Sequence, residues 1–164
     1  MAQALAILAA HGPAGAWIGA GFLRNAVWDA LHGRAPDVAG LADLDVIHLD
    51  AACLDPAADA DWEMRMRAAL PLPWSVTNQA RMHGRNGHAP YADCADAIAH
   101  WPETATAVAA RLGDGIELLA PHGLDDLLGL ILRPTPAFAG RPEVIARRAA
   151  KKGWFQRWPR LTEA

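Results

Sequence analysis

The stretch WIGAGFLRNAVWDALHG, residues 17–33, constrains the fold more than any other part of this chain. It begins with apolar residues typical of a short buried strand, turns through Gly19 and Gly21, and continues with apolar residues at helical spacing until Gly33. A helix that starts at a glycine turn presents free backbone N–H groups without side-chain bulk, and such a helix start binds phosphate. The sequence therefore predicts an α/β chain with a phosphate site at this turn.

Two unrelated folds use a turn of this kind. In a Rossmann-type dinucleotide site, Gly19 and Gly21 would be the first two glycines of Gly-x-Gly-x-x-Gly, and Asp50 at the end of the next strand would hold the ribose. Arg24 occupies the third glycine position, where a small residue normally lets the helix pack on the strand, and Asp50 comes later than the usual spacing. This interpretation also leaves another pair of acids unexplained.

That pair is Asp43 and Asp45 in the segment DLDVIHLD. Side chains alternate along a strand, so the two carboxylates point to the same face, where their charges repel each other. A shared divalent cation explains such a pair, and Mg²⁺ prefers carboxylate oxygens together with substrate phosphates. A glycine turn, a helix with Arg24 one turn in, and Asp-x-Asp on the next strand therefore predict a nucleotidyltransferase site.

The remaining pattern predicts a small mixed sheet flanked by helices, in a single domain over residues 1–164. Hydrophobic periodicity predicts helices over residues 3–10, 22–32, 59–70, 93–99, 123–132 and 141–152, and strands over residues 16–20, 44–49, 74–79, 105–112 and 116–120. Residues 34–41 and 83–91 are predicted as loops.

Composition indicates a globular protein of the cytoplasm. Of its residues 52% are hydrophobic and 20% are charged, and no apolar run is long enough to span a bilayer, so no membrane partner is expected. The apolar start has no basic segment and leads directly into a strand pattern, so we interpret it as a first helix and not as a signal peptide. Cys53 and Cys94 have neither a pairing nor a metal-binding pattern, which favours free thiols in a reducing cytoplasm.

Charge is distributed unevenly along the chain. The net charge is −3, but residues 141–164 carry seven Arg or Lys and two Glu, and residues 29–63 carry nine acids and one base. This distribution predicts a cation site in the acidic middle and an anion contact at a basic C-terminal helix of about residues 141–158, or else two solvated surfaces that attract each other. Aromatic residues interleave with these bases and leave nucleic-acid binding open, but a docked amphipathic helix is the favoured interpretation.

The segments GAGFLRNAVWDALHG and DLDVIHLD resemble the head of DNA polymerase β-type nucleotidyltransferases. Within that group their motif is most similar to that of the tRNA CCA-adding enzymes, which have Gly-Gly-x-Val-Arg-Asp, then a helix, then Asp-x-Asp. Ala20 stands here for the first glycine and Asn25 for the aspartate after the arginine. The chain also resembles a family of small bacterial nucleotidyltransferases of open substrate, through segments that follow in order along nearly its whole length: WIGAGFLRNAVWD, DLDVIHLD, WSVTNQARMH, PYADCADAIAHWPETATAVAARL, LLAPHGLDDLLGLILRPTP and KKGWFQRWPRL.

This resemblance implies the fold and the roles of the site residues. It implies a polymerase β-type nucleotidyltransferase fold in which Asp43 and Asp45 are catalytic and bind Mg²⁺, one ion or two. Gly21, Arg24 and Asn25 would bind the phosphates of a nucleoside triphosphate (NTP), whose nucleoside monophosphate passes to an acceptor of unknown identity. The short chain leaves little room for an acceptor-binding domain, which favours a small molecule or a partner's surface over a deeply held tRNA.

Related enzymes place a third carboxylate on the next core strand, but residues 74–79 contain no acid. Asn78 is therefore a candidate ligand for the metal or the base, and the alternative sources of a third acid are Glu63, Glu117 and Asp125. Without a third acid, the alternative function is a catalytically silent nucleotide-binding or regulatory protein of the same fold.

Several other residues are candidates to lie near the site. Gly19 belongs to the turn itself, and Arg81 follows Asn78 in the polar run NQARMH after the third strand. If tryptophans contribute to the site, Trp62 and Trp74 are the candidates that their positions in the sequence favour. The helical position of Arg24 predicts that its side chain is exposed.

Overall fold

The computed structural model describes residues 1–38 and 40–164. Its helices are α1 (Ala2–His11), α2 (Gly21–Leu31), α3 (Pro56–Ala69), α4 (Met82–Asn86), α5 (Cys94–Ala99), α6 (Asp125–Leu128), α7 (Pro142–Lys152) and α8 (Trp154–Arg157), with 3-10 turns at Gln79–Arg81 and Pro136–Phe138. Its strands are β1 (Trp17–Gly19), β2 (Leu44–His48), β3 (Trp74–Asn78), β4 (Ala109–Leu112), β5 (Ile116–Leu119), β6 (Ile131–Leu132) and β7 (Thr162–Glu163). None of these helices is long and apolar enough to cross a membrane.

Strands β1 to β5 form one mixed sheet in the order β3-β2-β1-β4-β5, and β6 and β7 pair separately. β1 is antiparallel to β2 and β4, β4 is antiparallel to β5, and β2 and β3 are parallel strands connected through α3. The predicted class, a small mixed sheet flanked by helices, is confirmed. In a Rossmann sheet β1 and β2 would be parallel, so that interpretation of the glycine turn is wrong.

Alternation along β2 directs its side chains to different layers. Leu44 and Val46 are fully buried in a core cluster with residues of α1, α3 and the neighbouring strands. Ile47 belongs to a cluster on the other face, to which α5 contributes Ile98. Asp45 has the same parity as Ile47, so the sheet directs its carboxylate away from the layer formed by α1 and α3.

The C-terminal region forms a further layer against α2. Trp28 of α2 packs edge-on against Trp154 and Trp158, with ring centroids 5.8 Å and 5.1 Å apart. These three rings are each at most 2% exposed and join residues of α6 and α7 in one apolar cluster. Burial of such large aromatic surfaces holds α7 and α8 beside α2. The basic C-terminus is therefore docked, as its amphipathic pattern predicts.

Two predicted segments have a different secondary structure. Residues 83–91 are predicted as a loop, but α4 occupies their first part and ends at Gly87, whose φ is 72°. A helix is predicted over residues 123–132, but only the single turn of α6 forms, because Leu130 takes a left-handed φ of 57° and the chain then enters β6.

The strand predicted over residues 105–112 and the basic helix predicted over about 141–158 are both interrupted. The Thr106 and Ala107 N–H groups donate to the carbonyl of Glu103, which turns the chain before β4 begins. Gly153, with a left-handed φ of 62°, separates α7 from α8. The other predicted helices and strands agree within three residues at each end, and Ala39 of the predicted loop 34–41 lies outside the described residues.

Candidate active site

Asp43 and Asp45 line one cavity of about 300 Å³, here called the charged cavity. Asp43 lies directly before β2 and Asp45 lies on it, beside the start of α2 and the C-terminal helices. The rest of the lining comes from the glycine turn, the segment before β2, the turn before β4, and α7 and α8: Ala20, Gly21, Arg24, Asn25, Gly40, Leu41, Ala42, Thr106, Arg148, Lys152, Trp154, Arg157 and Trp158.

Asp45 is the more buried of the two carboxylates, and the fold does not neutralise it. Burial raises the pKa of Asp45 above the usual aspartate value, and repulsion by Asp43 raises it further. Attraction by Lys152, Arg24 and Arg148 acts in the opposite direction without reversing the shift. No ion pair within the described part of the chain involves either carboxylate. A divalent cation shared by the pair would offset both causes of the raised pKa.

The glycine turn holds Ala20 in a conformation that residues with a Cβ rarely adopt. Its φ is 50° and its ψ is −120°. Two hydrogen bonds keep it there, because its N–H donates to the Val108 carbonyl and its own carbonyl accepts from the Arg24 N–H, each at 3.0 Å. Such a conformation costs on the order of 1–3 kcal/mol, and backbone strain of this kind clusters at ligand sites.

Gly19 and Gly21 are glycines for different reasons. A Cβ at Gly19 would lie 2.7 Å from Cη2 of Trp101, so packing within the protein requires this glycine, which does not itself line the charged cavity. A Cβ at Gly21 would make only ordinary contacts, 3.6 Å from Nη2 of Arg24 and 3.7 Å from Nδ2 of Asn25. Protein packing therefore does not explain why position 21 is glycine.

Arg24 lines the charged cavity but is buried, and the prediction that it is exposed is wrong, since its exposed fraction is 3%. The C-terminal layer covers it, with the guanidinium carbon 4.4 Å from the ring centre of Trp154. Its Nη1 donates to Oγ1 of Thr106 and its Nη2 to Oδ1 of Asn25, each at 2.8 Å. Burial lowers the pKa of Arg24 to about 10, which leaves it protonated at neutral pH.

Three basic residues of the C-terminal helices reach the charged cavity, and sequence reasoning assigns none of them to it. Arg148 and Lys152 lie four residues apart on one face of α7, and Arg157 lies on α8. The excess of basic residues in 141–164 is the signal in the sequence, and the spacing of four indicates that Arg148 and Lys152 share a face. The sequence alone does not show where that face docks.

Buried acids hold two of these arginines. Glu103 is fully buried and accepts hydrogen bonds from Nε of Arg148 at 2.5 Å and from its Nη2 at 3.3 Å. Asp29 accepts from Nη2 of Arg157 at 2.9 Å and from the indole N–H of Trp158 at 2.8 Å. Burial alone would raise the pKa of Asp29, but the hydrogen bonds from Trp158 and two arginines lower it. Arginines fixed in this way would lose little side-chain entropy on binding an anion.

A second cavity of about 260 Å³ adjoins the charged cavity and is here called the neutral cavity. The two cavities share Ala20, Asp45, Thr106 and Arg148 in their walls. Among the described residues, Asp45 and Arg148 are the only charged ones that line it. The remaining walls are apolar or uncharged: Val46, Ile47, Thr77, Gln79, Met82, Asn86, Ala97, Trp101 and Pro102.

Asn78 and Arg81, two further candidates from the sequence, line neither cavity. Asn78 is fully buried, and its amide fixes the loop after β2. Its Oδ1 accepts from the Asp50 N–H at 3.0 Å, and its Nδ2 donates to the carbonyls of Asp50 and Cys53 at 2.7 Å and 2.8 Å. Arg81 donates to Asp59 on α3. The Asn78 amide is therefore occupied within the protein, whereas Nη1 of Arg81 is buried without a hydrogen-bond partner among the described residues.

Among the described residues, no third carboxylate joins Asp43 and Asp45. Within the described residues, no group of three His, Cys, Asp or Glu could hold a metal ion. The three acids named as alternatives line neither cavity: Glu63, Glu117 and Asp125.

The tryptophans near the site are not those nearest in the sequence. Trp62 and Trp74 pack in the core cluster beneath α1 and α3. Trp154 and Trp158 line the charged cavity, and Trp101 lines the neutral cavity. The C-terminal pair reaches the site only because α8 folds back onto α2.

Comparison with known proteins agrees with this architecture. An NMR structure described as a CCA-adding enzyme head domain matches with a TM-score of 0.85 and 33% sequence identity, over 99% of this chain and 88% of that one. A tRNA-processing enzyme in an apo form matches with a TM-score of 0.57 and 18% identity, and the Thermotoga maritima CCA-adding enzyme complexed with tRNA with 0.54 and 17%. These two likenesses show the fold alone. They cover 99% and 91% of this chain but 42% and 35% of the larger enzymes. No curated protein matches.

The fold is that of a nucleotidyltransferase head domain. The profile of a family described as nucleotidyltransferase matches residues 7–162, and the chain belongs to that family. The family and the head-domain fold together support nucleotidyl transfer as the general reaction.

Proposed function

We propose that this protein is a Mg²⁺-dependent nucleotidyltransferase that transfers a nucleoside monophosphate from an NTP to an acceptor. The charged cavity carries the proposal, because Asp43 and Asp45 share it with Arg148, Lys152 and Arg157. Carboxylates alone would attract only a cation, and basic residues alone only an anion. Both together fit a metal–triphosphate, whose cation Asp43 and Asp45 would hold and whose phosphates the three basic residues would attract.

The donor set fits Mg²⁺ that is bound together with its substrate. Asp43 and Asp45 offer carboxylate oxygens, which hard divalent cations prefer. Two carboxylates alone are a weak site for Mg²⁺, so Asp43 and Asp45 would hold one ion or two only together with the phosphates of the substrate. When bound, the metal would polarise the α-phosphate and offset the charge that develops on the pyrophosphate.

The start of α2 would bind phosphate through backbone and amide N–H groups. Gly21 leaves the space for a phosphate next to the free N–H groups of the helix start. Oδ1 of Asn25 already accepts from Arg24, so its Nδ2 is the group left to donate to a ligand. Arg24 contributes its charge from the wall of the cavity and positions Asn25.

The C-terminal basic residues would hold the β- and γ-phosphates. Arg148 and Arg157 are fixed by Glu103 and Asp29, and Lys152 lies one turn along α7 from Arg148. Cations placed where negative charge develops stabilise the transition state of phosphoryl transfer. They would therefore orient the pyrophosphate as leaving group while the acceptor oxygen attacks the α-phosphorus in line.

The first experiment measures the thermal midpoint with each NTP, with and without Mg²⁺. We expect an increase that requires Mg²⁺, because a ligand that binds only the folded state raises the midpoint. The Asp43→Asn/Asp45→Asn double variant should lose this increase. Asp50→Asn is the matched control, because Asp50 is an exposed acid after β2 that lines neither cavity. An increase that persists in the double variant, or that needs no Mg²⁺, would contradict the proposal.

A catalytically silent nucleotide-binding protein is the second candidate, and the two-carboxylate site favours it. Glu103 is buried close to this site, but Arg148 occupies its carboxylate. Hydrolysis of each NTP to the monophosphate and pyrophosphate, with water as acceptor, separates the two functions. An active transferase should release pyrophosphate slowly in the presence of Mg²⁺, whereas a silent protein should bind NTP without any release.

Two further parts of the proposal concern the ligand of the basic C-terminus and the cellular compartment. Arg148, Lys152 and Arg157 face the charged cavity, so we do not favour nucleic acid as the ligand of the basic C-terminus. Cys53 and Cys94 are free thiols, which supports the cytoplasm as the site of action.

A further inference from the structure

We propose that the neutral cavity binds the nucleobase of the donor nucleotide, so that the base is distinguished within this head domain. The inference rests on the proposed function and extends it from the triphosphate to the base. Its first support is the shared wall of the two cavities, which includes Asp45 and Arg148. A nucleotide with its polyphosphate in the charged cavity and its α-phosphate at Asp45 continues across that wall with its sugar and base.

The lining of the neutral cavity suits a flat, uncharged ring and not a second anion. Beyond the shared wall, no charged side chain of the described residues lines it. Trp101 offers an aromatic surface, and Met82, Ala97 and Pro102 offer apolar ones. Stacking on aromatic side chains is a general way to bind bases, because every base has a π-face. Small residues elsewhere in the wall leave the space open.

Gln79 supplies the polar group that a base would recognise. It lines the neutral cavity, and only 5% of its surface is exposed. Its Nε2 donates to the Thr77 carbonyl at 3.3 Å, which leaves Oε1 as an acceptor that no donor of the described residues satisfies. That oxygen is not fully enclosed, so a donor group of a ligand in the cavity can reach it. Each of the four RNA bases carries an N–H donor, and glutamine is a common reader of base edges.

The competing occupant is the acceptor, which must also approach the α-phosphorus. An acceptor in the neutral cavity would leave the affinity for donor nucleotides insensitive to the walls of this cavity. A nucleobase there makes NTP affinity, but not the affinity for the inorganic polyphosphate, depend on those walls. The two occupants therefore predict opposite results for the same variant.

The test compares binding of Mg²⁺ complexes of ATP, CTP, GTP, UTP and inorganic tripolyphosphate by isothermal titration calorimetry. The wild type should bind at least one NTP more tightly than tripolyphosphate. Gln79→Leu keeps the side-chain volume and removes the acceptor, so we expect the affinity for that NTP to fall roughly tenfold, equivalent to about 1.4 kcal/mol. Tripolyphosphate affinity should stay within about twofold. Gln3→Leu is the matched control, because Gln3 is exposed on α1 and remote from both cavities.

A second measurement does not depend on how the variant folds. The indole N–H signal of Trp101 in a ¹⁵N-labelled wild-type sample, assigned with Trp101→Phe, should shift with an NTP and not with tripolyphosphate. Equal binding of all five ligands, or equal shifts with an NTP and with tripolyphosphate, would overturn the nucleobase site while the phosphate site stands. If none of the ligands binds with Mg²⁺, the proposed function itself fails, and this inference with it.

Discussion

Asp45 and Asp59 are both withdrawn from water beside the central sheet, on opposite faces of it. Asp59, under α3, accepts hydrogen bonds from Arg81, from Nε2 of His48 at 3.2 Å and from the Asn78 N–H at 3.1 Å. Burial alone would raise the pKa of Asp59, but these hydrogen bonds lower it. Burial and Asp43 raise the pKa of Asp45, and no comparable partners compensate. Hydrogen bonds within the protein therefore stabilise the charged form of Asp59, whereas the charged form of Asp45 has no such partners. An acid in the second situation is a candidate for binding a ligand.

The largest difference between Asp45 and Asp59 should appear in catalytic activity. Asp45→Asn removes a proposed metal ligand, so we expect NTP turnover to fall by at least about 10³-fold, equivalent to about 4 kcal/mol of transition-state stabilisation. The free energy of unfolding should not decrease, because the variant also removes repulsion from Asp43. Turnover is measured as pyrophosphate release and stability by urea unfolding. A variant that keeps its turnover would place the metal elsewhere.

The second-largest difference should appear in stability. Asp59→Asn leaves the positive charge of Arg81 without its buried partner, so we expect unfolding free energy to fall by about 3 kcal/mol. Asp61→Asn, an exposed acid on the same helix, should change stability by less than about 0.5 kcal/mol. Urea unfolding of both variants gives the comparison. Equal stabilities would mean that the network around Asp59 contributes nothing net.

The two glycines of the turn, Gly19 and Gly21, should respond differently to substitution by alanine. Gly21→Ala should keep or raise stability, by up to about 1 kcal/mol, because the position is helical and the Cβ has room. The same variant should weaken Mg²⁺–NTP binding about tenfold, equivalent to about 1.4 kcal/mol, because its Cβ takes up ligand space. Gly19→Ala should instead lower stability, since its Cβ would meet Trp101. Thermal unfolding and calorimetry separate these outcomes, and an undiminished affinity in Gly21→Ala would remove Gly21 from the phosphate site.

A smaller effect on stability should come from Ala20, the strained residue between the two glycines. Ala20→Gly relieves the left-handed φ of 50°, and we expect the folded state to gain about 1 kcal/mol, net of the extra entropy of glycine in the unfolded chain. The midpoint of urea unfolding, with an unchanged m-value, reports this gain. A loss of stability would mean that the Ala20 methyl group contributes more by packing than its conformation costs.

The smallest effect, and the one that contrasts the two acids most directly, is on the pH dependence of stability without metal. The folded-state pKa of Asp45 lies above the ordinary 3.8, so the wild type loses stability as the pH rises from about 3.8 through that pKa. The folded-state pKa of Asp59 lies below 3.8, so its contribution is present above 3.8 and is lost as the pH falls through that pKa. Asp45→Asn should remove the first loss and Asp59→Asn the second, as measured by urea unfolding at a series of pH values. Profiles parallel to the wild type in both variants would contradict the assigned shifts.

Much of the fold could be predicted because its signals are local. The strand, turn and helix around Gly21 lie within one short stretch, and the shared face of Asp43 and Asp45 follows from the alternation of any strand. Two missed boundaries also had local signals. Asp55 followed by Pro56 marks the start of α3, and Gly87 marks the end of α4.

The parts of the site that could not be predicted depend on distant partners. Arg24 is buried because Trp154 covers it, and the sequence does not show that α8 returns to α2. Asn78 is a plausible ligand by type, but its amide is taken by a loop 25 to 28 residues earlier in the chain. Arg148 enters the site only through the docking of α7. In each case the determining contact is non-local, and periodicity carries no information about it.

The long sequence separation between Asp29 and Arg157 determines when the site can form during synthesis. The two residues are 128 positions apart, and Glu103 and Arg148 are 45 apart. During synthesis the carboxylates before and on β2 emerge long before the basic residues that would face them, because the ribosome adds roughly 5–20 residues per second. A nascent chain that ends before α7 therefore carries Asp43 and Asp45 without Arg148, Lys152 and Arg157. The charged cavity gains its basic wall only when α7 and α8 dock.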